Sequence, residues 1–134
     1  MVEQKIQTNW NELFKVNLST IYEESMDKHD LIKTLIVRKL LRKYNKIKNK
    51  IRIYTEFVIN DNRVSDIYFE DWKNKNAYVF EIQKEVTNSW IENIQKDYKD
   101  FSVPFMNTFD LIIIPLRECP DKISEINNWL DKFI

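Results

Sequence analysis

The sequence predicts an α/β fold, a mixed sheet flanked by helices, and three observations carry that prediction. Apolar residues recur at helical spacing through 27 to 50, three strand-like runs follow between 51 and 84, and a helix-like stretch at 89 to 101 precedes a continuous apolar run at 109 to 116. The resulting order is α, β, β, β, α, β, with further helices before and after it. At 134 residues and 43% hydrophobic content, the chain is expected to form one domain, 1 to 134, with its own core.

Each element has its own warrant. In NWNELFKVNLSTIYEESM (9 to 26), Trp10, Leu13, Phe14, Val16, Leu18, Ile21 and Tyr22 recur closer to a period of 3.6 than of 2, which gives one or two N-terminal helical pieces. DKHDLIKTLIVRKLLRKYNKIKNK (27 to 50) is the main core helix. Asp27 or Asp30 can cap it, and Leu31, Leu35, Ile36, Leu40 and Tyr44 line its apolar stripe. IRIYTEFVI (51 to 59), RVSDIYFED (63 to 71) and NAYVFEIQK (76 to 84) are rich in β-branched and aromatic residues and are separated by short polar turns, so they read as a three-stranded meander. SWIENIQKDYKDF (89 to 101) follows a Thr87 or Ser89 cap and repeats Trp90, Ile91, Ile94, Tyr98 and Phe101, as a helix does. FDLIIIPL (109 to 116) reads as a strand buried on both faces, and DKISEINNWLDKFI (121 to 134) as a closing helix. The chain has no Gly, so its turns fall to Asn and Asp, which tolerate positive φ best after Gly.

Several function classes recede on composition. Lys plus Arg and Asp plus Glu both number 21, so net charge favours no partner and any nucleic-acid surface must come from how the charges are distributed. The single Cys119 cannot form an internal disulfide, no apolar run approaches the ~20 residues of a membrane span, and MVEQKIQTNW lacks the apolar stretch of a signal peptide. A soluble, cytoplasmic protein without a membrane partner is expected.

Strand alternation then places the candidate site. Glu81 and Gln83 share one face of the third strand with Val79, while Phe80, Ile82 and Lys84 point to the other. If the first turn is Asn60 to Asn62, Glu56 faces Asp66 across the ladder; a two-residue turn slips this by one. Under the first register three carboxylates converge, which is unfavourable unless a cation or hydrogen-bond donors compensate. Mg²⁺ accepts one or two carboxylates and retains waters, which suits Asp66, Glu81 and Glu56. The alternative is a solvated meander face that carries no chemistry.

With Asp66 on the second strand and Glu81-Ile82-Gln83 on the third, in the order α-β-β-β-α-β, the chain resembles the PD-(D/E)XK, or restriction-endonuclease-like, nuclease superfamily over roughly 27 to 116. RVSDIYFE followed by AYVFEIQ, with His29 and Lys33 upstream, is also similar to the CoiA-type competence nucleases. The resemblance implies a restriction-endonuclease-like αβββαβ core and a Mg²⁺ or Mn²⁺ ion held by Asp66, Glu81 and the main-chain carbonyl of Ile82. In the family a Lys follows two residues after the Glu. Here that position holds Gln83, an E-x-Q variant, Lys84 sits one residue late, and Ser65 precedes Asp66 where the family has Pro. Gln83 can orient a water but not take its proton, which leaves Glu56, a substrate phosphate or a metal-bound hydroxide as the base.

Nucleic acid has separate support. Arg38, Lys39, Arg42, Lys43, Lys46, Lys48, Lys50 and Arg52 crowd one stretch with no acidic residue between Leu31 and Thr55. A solvated helix face with basic residues at its C-terminal end is the alternative. His29 reads as a partly exposed helix residue, with contact to a phosphate or to the site edge as the other reading. Glu23, Glu24 and Asp30 read as helix-start charge, Trp72 as a core cap rather than a base-stacking platform, and Tyr98 as core. Asn88, Asn93 and Gln95 are minor candidates on the second helix. The function expected is metal-dependent hydrolysis of DNA phosphodiester bonds, with Asp66, Glu81, Gln83 and Glu56 catalytic and Arg38, Arg42, Lys43, Lys46 and Lys84 contacting DNA. A homodimer, two sites for two strands, is implied by the resemblance, although no stretch specifies its interface. The competing readings are a catalytically silent nucleic-acid-binding protein of the same fold and a protein-interaction module.

Overall fold

The computed structural model describes residues 24–61 and 63–134, with side chains described from residue 27. The N-terminal pieces expected at 9 to 26 lie outside that range, apart from residues 24 to 26, which begin the first helix. In chain order the elements are α1 (Glu24–Lys43), β1 (Ile51–Asn60), β2 (Arg63–Asp71), β3 (Asn76–Gln83), α2 (Asn88–Tyr98), β4 (Thr108–Pro115) and α3 (Ile123–Leu130). Among the described residues the sheet has four strands in the order β1-β2-β3-β4. The first three form the expected antiparallel meander, and β4 runs parallel to β3. A parallel neighbour needs a crossover, and α2 supplies it.

The helices cover both faces of the sheet. On one face Ile32, Ile36, Val37 and Leu40 of α1 pack with Ile67, Phe69, Phe80, Ile82 and Ile114, joined by Ile126, Trp129 and Leu130 of α3. On the other, Ile94 and Tyr98 of α2 pack with Tyr68, Ala77 and Val79. The result is a mixed α/β sheet with a core on each side, and each core draws on every second residue of the strands it covers.

Three expectations need correction. The helix expected to reach residue 50 ends at Lys43, and Asn45–Lys50 tightens into a 3₁₀ segment in which Ile47 leaves helical geometry and no residue is buried. The apolar stripe of α1 stops at Tyr44, so the lysines beyond have nothing to pack against. The stripe keeps Leu35, Ile36, Leu40 and Tyr44 but not Leu31, which is 42% exposed while Ile32 is fully buried in its place. Finally, β4 is not buried along its length. Ile112 and Ile114 face one core and Phe109, Leu111 and Ile113 the other, which explains the unbroken apolar run, but most of these positions are half-buried because β4 is an edge of the described sheet.

One residue redirects β1. Ile51 and Ile53 join the α1-side core whereas Phe57 and Ile59 join the α2-side core, although all four share one sequence parity. The switch falls at Glu56, whose φ is 51°. The left-handed backbone there turns the rest of the strand over.

The α1-side core is the larger, and its loss is testable. Ile36→Ala should lower the unfolding free energy by about 2–5 kcal/mol, while the exposed Arg38→Ala should change it by less than about 0.5 kcal/mol, both read by equilibrium urea denaturation.

Candidate functional site

The site begins where a ladder stops. β2 and β3 pair from Asp71↔Asn76 to Ile67↔Phe80, and the next rung would set Asp66 opposite Glu81. That rung is not made. Oδ2 of Asp66 instead accepts the main-chain N–H of Ile82 at 2.7 Å, so the carboxylate replaces the ladder partner that the parting strands withdraw. On the other side of β2 the register Thr55↔Ile67 and Phe57↔Ser65 sets Glu56 across from Asp66, as the longer-turn register predicted. An Asn60↔Arg63 rung adds a shift close to the turn.

Two polar residues of α1 lie in phase with its buried stripe. His29 and Lys33 are one turn apart and only 8% and 0% exposed. His29 Nε2 lies 3.0 Å from Asp66 Oδ1, and its Nδ1 lies 3.4 Å from Asp30 Oδ1. Burial disfavours the charged imidazole, but the hydrogen bond and charge of Asp66, helped by Asp30, prevail and raise its pKa above the ordinary 6.5. Lys33 Nζ donates to Glu56 Oε1 at 2.5 Å and lies 3.9 Å from Asp30 Oδ1. A fully buried ammonium requires such partners.

Glu81 is 4% exposed and sits on the α2 side, where Tyr98 Oη donates to its Oε1 at 2.5 Å. Its Oε2 lies 3.9 Å from Nη1 of Arg63. Burial and then the charge of Asp66 push the Glu81 carboxyl up to about 7 from 4.5, against the Tyr98 hydrogen bond and the charges of Arg63 and His29. The same pair raises the Tyr98 phenol, through its burial and the neighbouring carboxylate.

An open cleft of about 280 Å³ is lined by His29, Arg63, Val64, Asp66, Glu81, Ile82, Gln83, Lys84 and Leu116. It therefore gathers Asp66, Glu81, Ile82 and Gln83 of the expected site, together with Lys84. β3 ends at Gln83, so alternation no longer governs Lys84, and the face expected for it does not apply. Gln83 Nε2 donates to the main-chain oxygen of Glu85 at 3.3 Å. Glu56 is not in the cleft lining, because its carboxylate is turned to Lys33. Asn88, Asn93 and Gln95 are exposed, and the α2 residue that meets the site is Tyr98. Trp72 donates to Glu70 Oε1 at 3.0 Å with the Lys75 ammonium over its ring, and it belongs to neither core.

The basic stretch lies elsewhere. Arg42 is thirteen residues beyond His29 on α1, which is about 20 Å along the axis at 1.5 Å per residue. Arg38, Arg42 and Lys46 are exposed there, whereas Lys39 is bonded to Asp131 at 2.6 Å and Lys43 to the main-chain oxygen of Ile134. None of the five lines the cleft.

Sequence reasoning ties His29 and Lys33 to the site only through the resemblance, with the site edge as the second reading of His29, whereas it passes over Arg63 and reads Tyr98 as core. For the first two the signal was present, since positions 29, 32, 33, 36, 37 and 40 form one helical stripe and polar members of a buried stripe must have partners. Nothing local marks Arg63 or Tyr98.

A comparison with family models, curated proteins and solved structures returned no match for this chain. Among the described residues no helix is long and apolar enough to cross a membrane, and no group of three or more His, Cys, Asp or Glu is gathered as a metal site. The cleft offers two carboxylates and the main chain of Ile82, oxygen donors of the kind Mg²⁺ takes, and the Glu81 carboxyl there is raised first by its burial and then by the charge of Asp66.

Glu81 gives the protein a pH signature. Its folded pKa lies above its unfolded one, so its contribution to stability is fully present below about 4.5 and is lost as pH rises toward 7. Wild type should lose on the order of 3 kcal/mol over that window relative to Glu81→Gln. Chemical unfolding of both proteins near pH 4.5 and near pH 8 tests this, and parallel pH profiles would refute it.

Proposed function

We propose that the chain is a metal-dependent nuclease that hydrolyses phosphodiester bonds in DNA, on a restriction-endonuclease-like core. The supporting observation is the failed rung between Asp66 and Glu81, which leaves two carboxylates from adjacent strands at one cleft beside the main chain of Ile82. Asp66, Glu81 and the Ile82 carbonyl would hold Mg²⁺ or Mn²⁺. When bound, such an ion supplies a water of lowered pKa and positive charge for the phosphate.

The chain's own residues divide the remaining work. The Ile82 N–H and His29 hold the two oxygens of Asp66, so that carboxylate is fixed before any ligand arrives. Tyr98 fixes Glu81 in the same way from α2. Gln83, at the cleft, has an amide that can orient a water and cannot accept its proton. Lys33 pairs with Glu56 and holds its carboxylate away from the cleft. Glu56, committed to Lys33, is thereby a poorer candidate for the base than its register alone implies. That would leave a substrate phosphate oxygen to take the proton of the attacking water, and slow turnover is expected.

A second reading rests on a specific observation as well. Both acids already have protein partners and the Lys position holds Gln83, which is compatible with a nucleic-acid-binding protein that no longer cleaves.

Cleavage and metal binding separate the two readings. Purified protein with Mg²⁺ or Mn²⁺ should cut linear, branched or single-stranded DNA, and Asp66→Ala or Glu81→Ala should reduce the rate by at least about a hundredfold. Mn²⁺ should also raise the melting temperature of wild type near pH 8 and leave both variants unmoved. No cleavage of any of these DNAs, with metal-independent and salt-sensitive DNA binding, would establish the silent reading instead.

A further inference from the structure

Arg63 has no role in the proposed reaction, yet it lines the cleft beside Asp66 and Glu81. It begins β2 at the tip of the β1–β2 hairpin. Its guanidinium is held from one side, because Nε and Nη2 both donate to Oδ2 of Asp97, at 3.1 and 2.9 Å. Asp97 precedes Tyr98, whose hydroxyl holds Glu81, and its main-chain oxygen accepts from Asn60 Nδ2 at 3.3 Å. The hairpin tip is thus clipped to the end of α2, and the clip sets the plane of the guanidinium. Nη1 lies 3.9 Å from Glu81 Oε2, too far for a hydrogen bond.

A guanidinium locked along one edge, 22% exposed, with its other nitrogen at the cleft, is an anchor already prepared for an anion. Its planar donors suit phosphate oxygens, and an acceptor group has already removed most of its rotamer freedom. The exposed ammonium of Lys84 stands at the same cleft and adds a point charge.

We propose that Arg63, oriented by Asp97, binds the phosphate of the nucleic-acid chain that lies next to Asp66 and Glu81. The inference rests on the nuclease reading for the identity of the ligand, but it concerns binding and not the chemical step. Arg63 contacts the substrate, and Asp97 is its positioning residue.

The test uses the full chain, a fluorescein-labelled single-stranded oligodeoxynucleotide in EDTA for binding, and the same DNA with Mn²⁺ for cleavage. Arg63→Ala should weaken binding by about tenfold or more and raise KM more than it lowers kcat, as loss of a charged hydrogen bond to a phosphate predicts. Arg63→Lys should recover only part of the affinity, because an ammonium lacks the fork. Asp97→Asn, which keeps Arg63 but weakens its anchor, should bind less tightly than wild type and more tightly than Arg63→Ala. A folded Arg63→Ala whose affinity changes by less than about twofold, below the contribution of one charged hydrogen bond, overturns the proposal. Should Arg63→Ala fail to fold, unchanged binding by both Arg63→Lys and Asp97→Asn overturns it equally. Wild type that binds through Arg63 but cleaves nothing upholds this inference and defeats the nuclease reading. Wild type that cleaves, beside an Arg63→Ala variant of unchanged KM, does the reverse.

Discussion

Two carboxylates on one rung of an antiparallel ladder repel, and the arrangement around Asp66 and Glu81 follows from that constraint. Unit charges ~5 Å apart at an effective dielectric of ~20 cost about 3 kcal/mol, more than the ~1 kcal/mol net that a ladder hydrogen bond returns. The cheaper solution is to stop the ladder at Ile67↔Phe80, give the stranded Ile82 N–H to Asp66, and let Glu81 keep its proton to near neutrality. The cleft is what the parted strands leave. His29 from one helix and Tyr98 from the other then close on the two acids from opposite faces of the sheet.

A second charge problem, one strand away, is resolved independently. Lys33 is fully buried, an expensive place for an ammonium, and Glu56 answers it across 2.5 Å. To reach Lys33, Glu56 must lie on the α1 side together with the buried Thr55 before it, which regular alternation forbids. The φ of 51° at Glu56 permits it, at a conformational cost of order 1–3 kcal/mol for a non-Gly residue. The strain is repaid where Phe57 emerges on the opposite face and stacks on Tyr68 with ring centroids 4.5 Å apart. One irregular residue thus serves an ion pair on one face and an aromatic cluster on the other.

Much of this was legible in the sequence. Strand identity, meander order and the crossover helix follow from period and β-branched content, all local quantities, whereas the Glu56–Asp66 register is reached through an Asn60↔Arg63 rung and a shift between Val58 and Asn60, not through the three-residue turn expected. The nearness of Asp66 to Glu81, Ile82 and Gln83 was legible too, since the β2–β3 ladder brings the chain to within one rung of it and the Asp66 carboxylate then takes the Ile82 N–H. Glu56 shows the limit, because backbone position came from the register while side-chain direction came from Lys33, a residue on another element. His29 was misjudged for a related reason. Its place in the buried stripe was readable, but the partner it meets there, Asp66, belongs to another element. Arg63 and Tyr98 illustrate the same gap, each being defined by a contact to α2 or from it that no spacing rule contains.

The separation of the basic stretch from the cleft bears on how a nuclease of this shape would handle its substrate. Arg38, Arg42 and Lys46 lie at the far end of α1 from His29, so no phosphate at the acid pair can touch them directly. Along one strand of duplex DNA, ~20 Å is about six phosphates at 3.4 Å each. Charges at that remove attract the polymer and screen out with salt, but they do not align a particular bond. Alignment has to come from groups at the cleft itself, and there the positive charge is sparse: His29 is committed to Asp66, and Arg63 and Lys84 line the cleft. On the proposed reading, long-range attraction of the polymer would come from the far end of α1 and alignment from the cleft, and added salt would weaken the first more than the second.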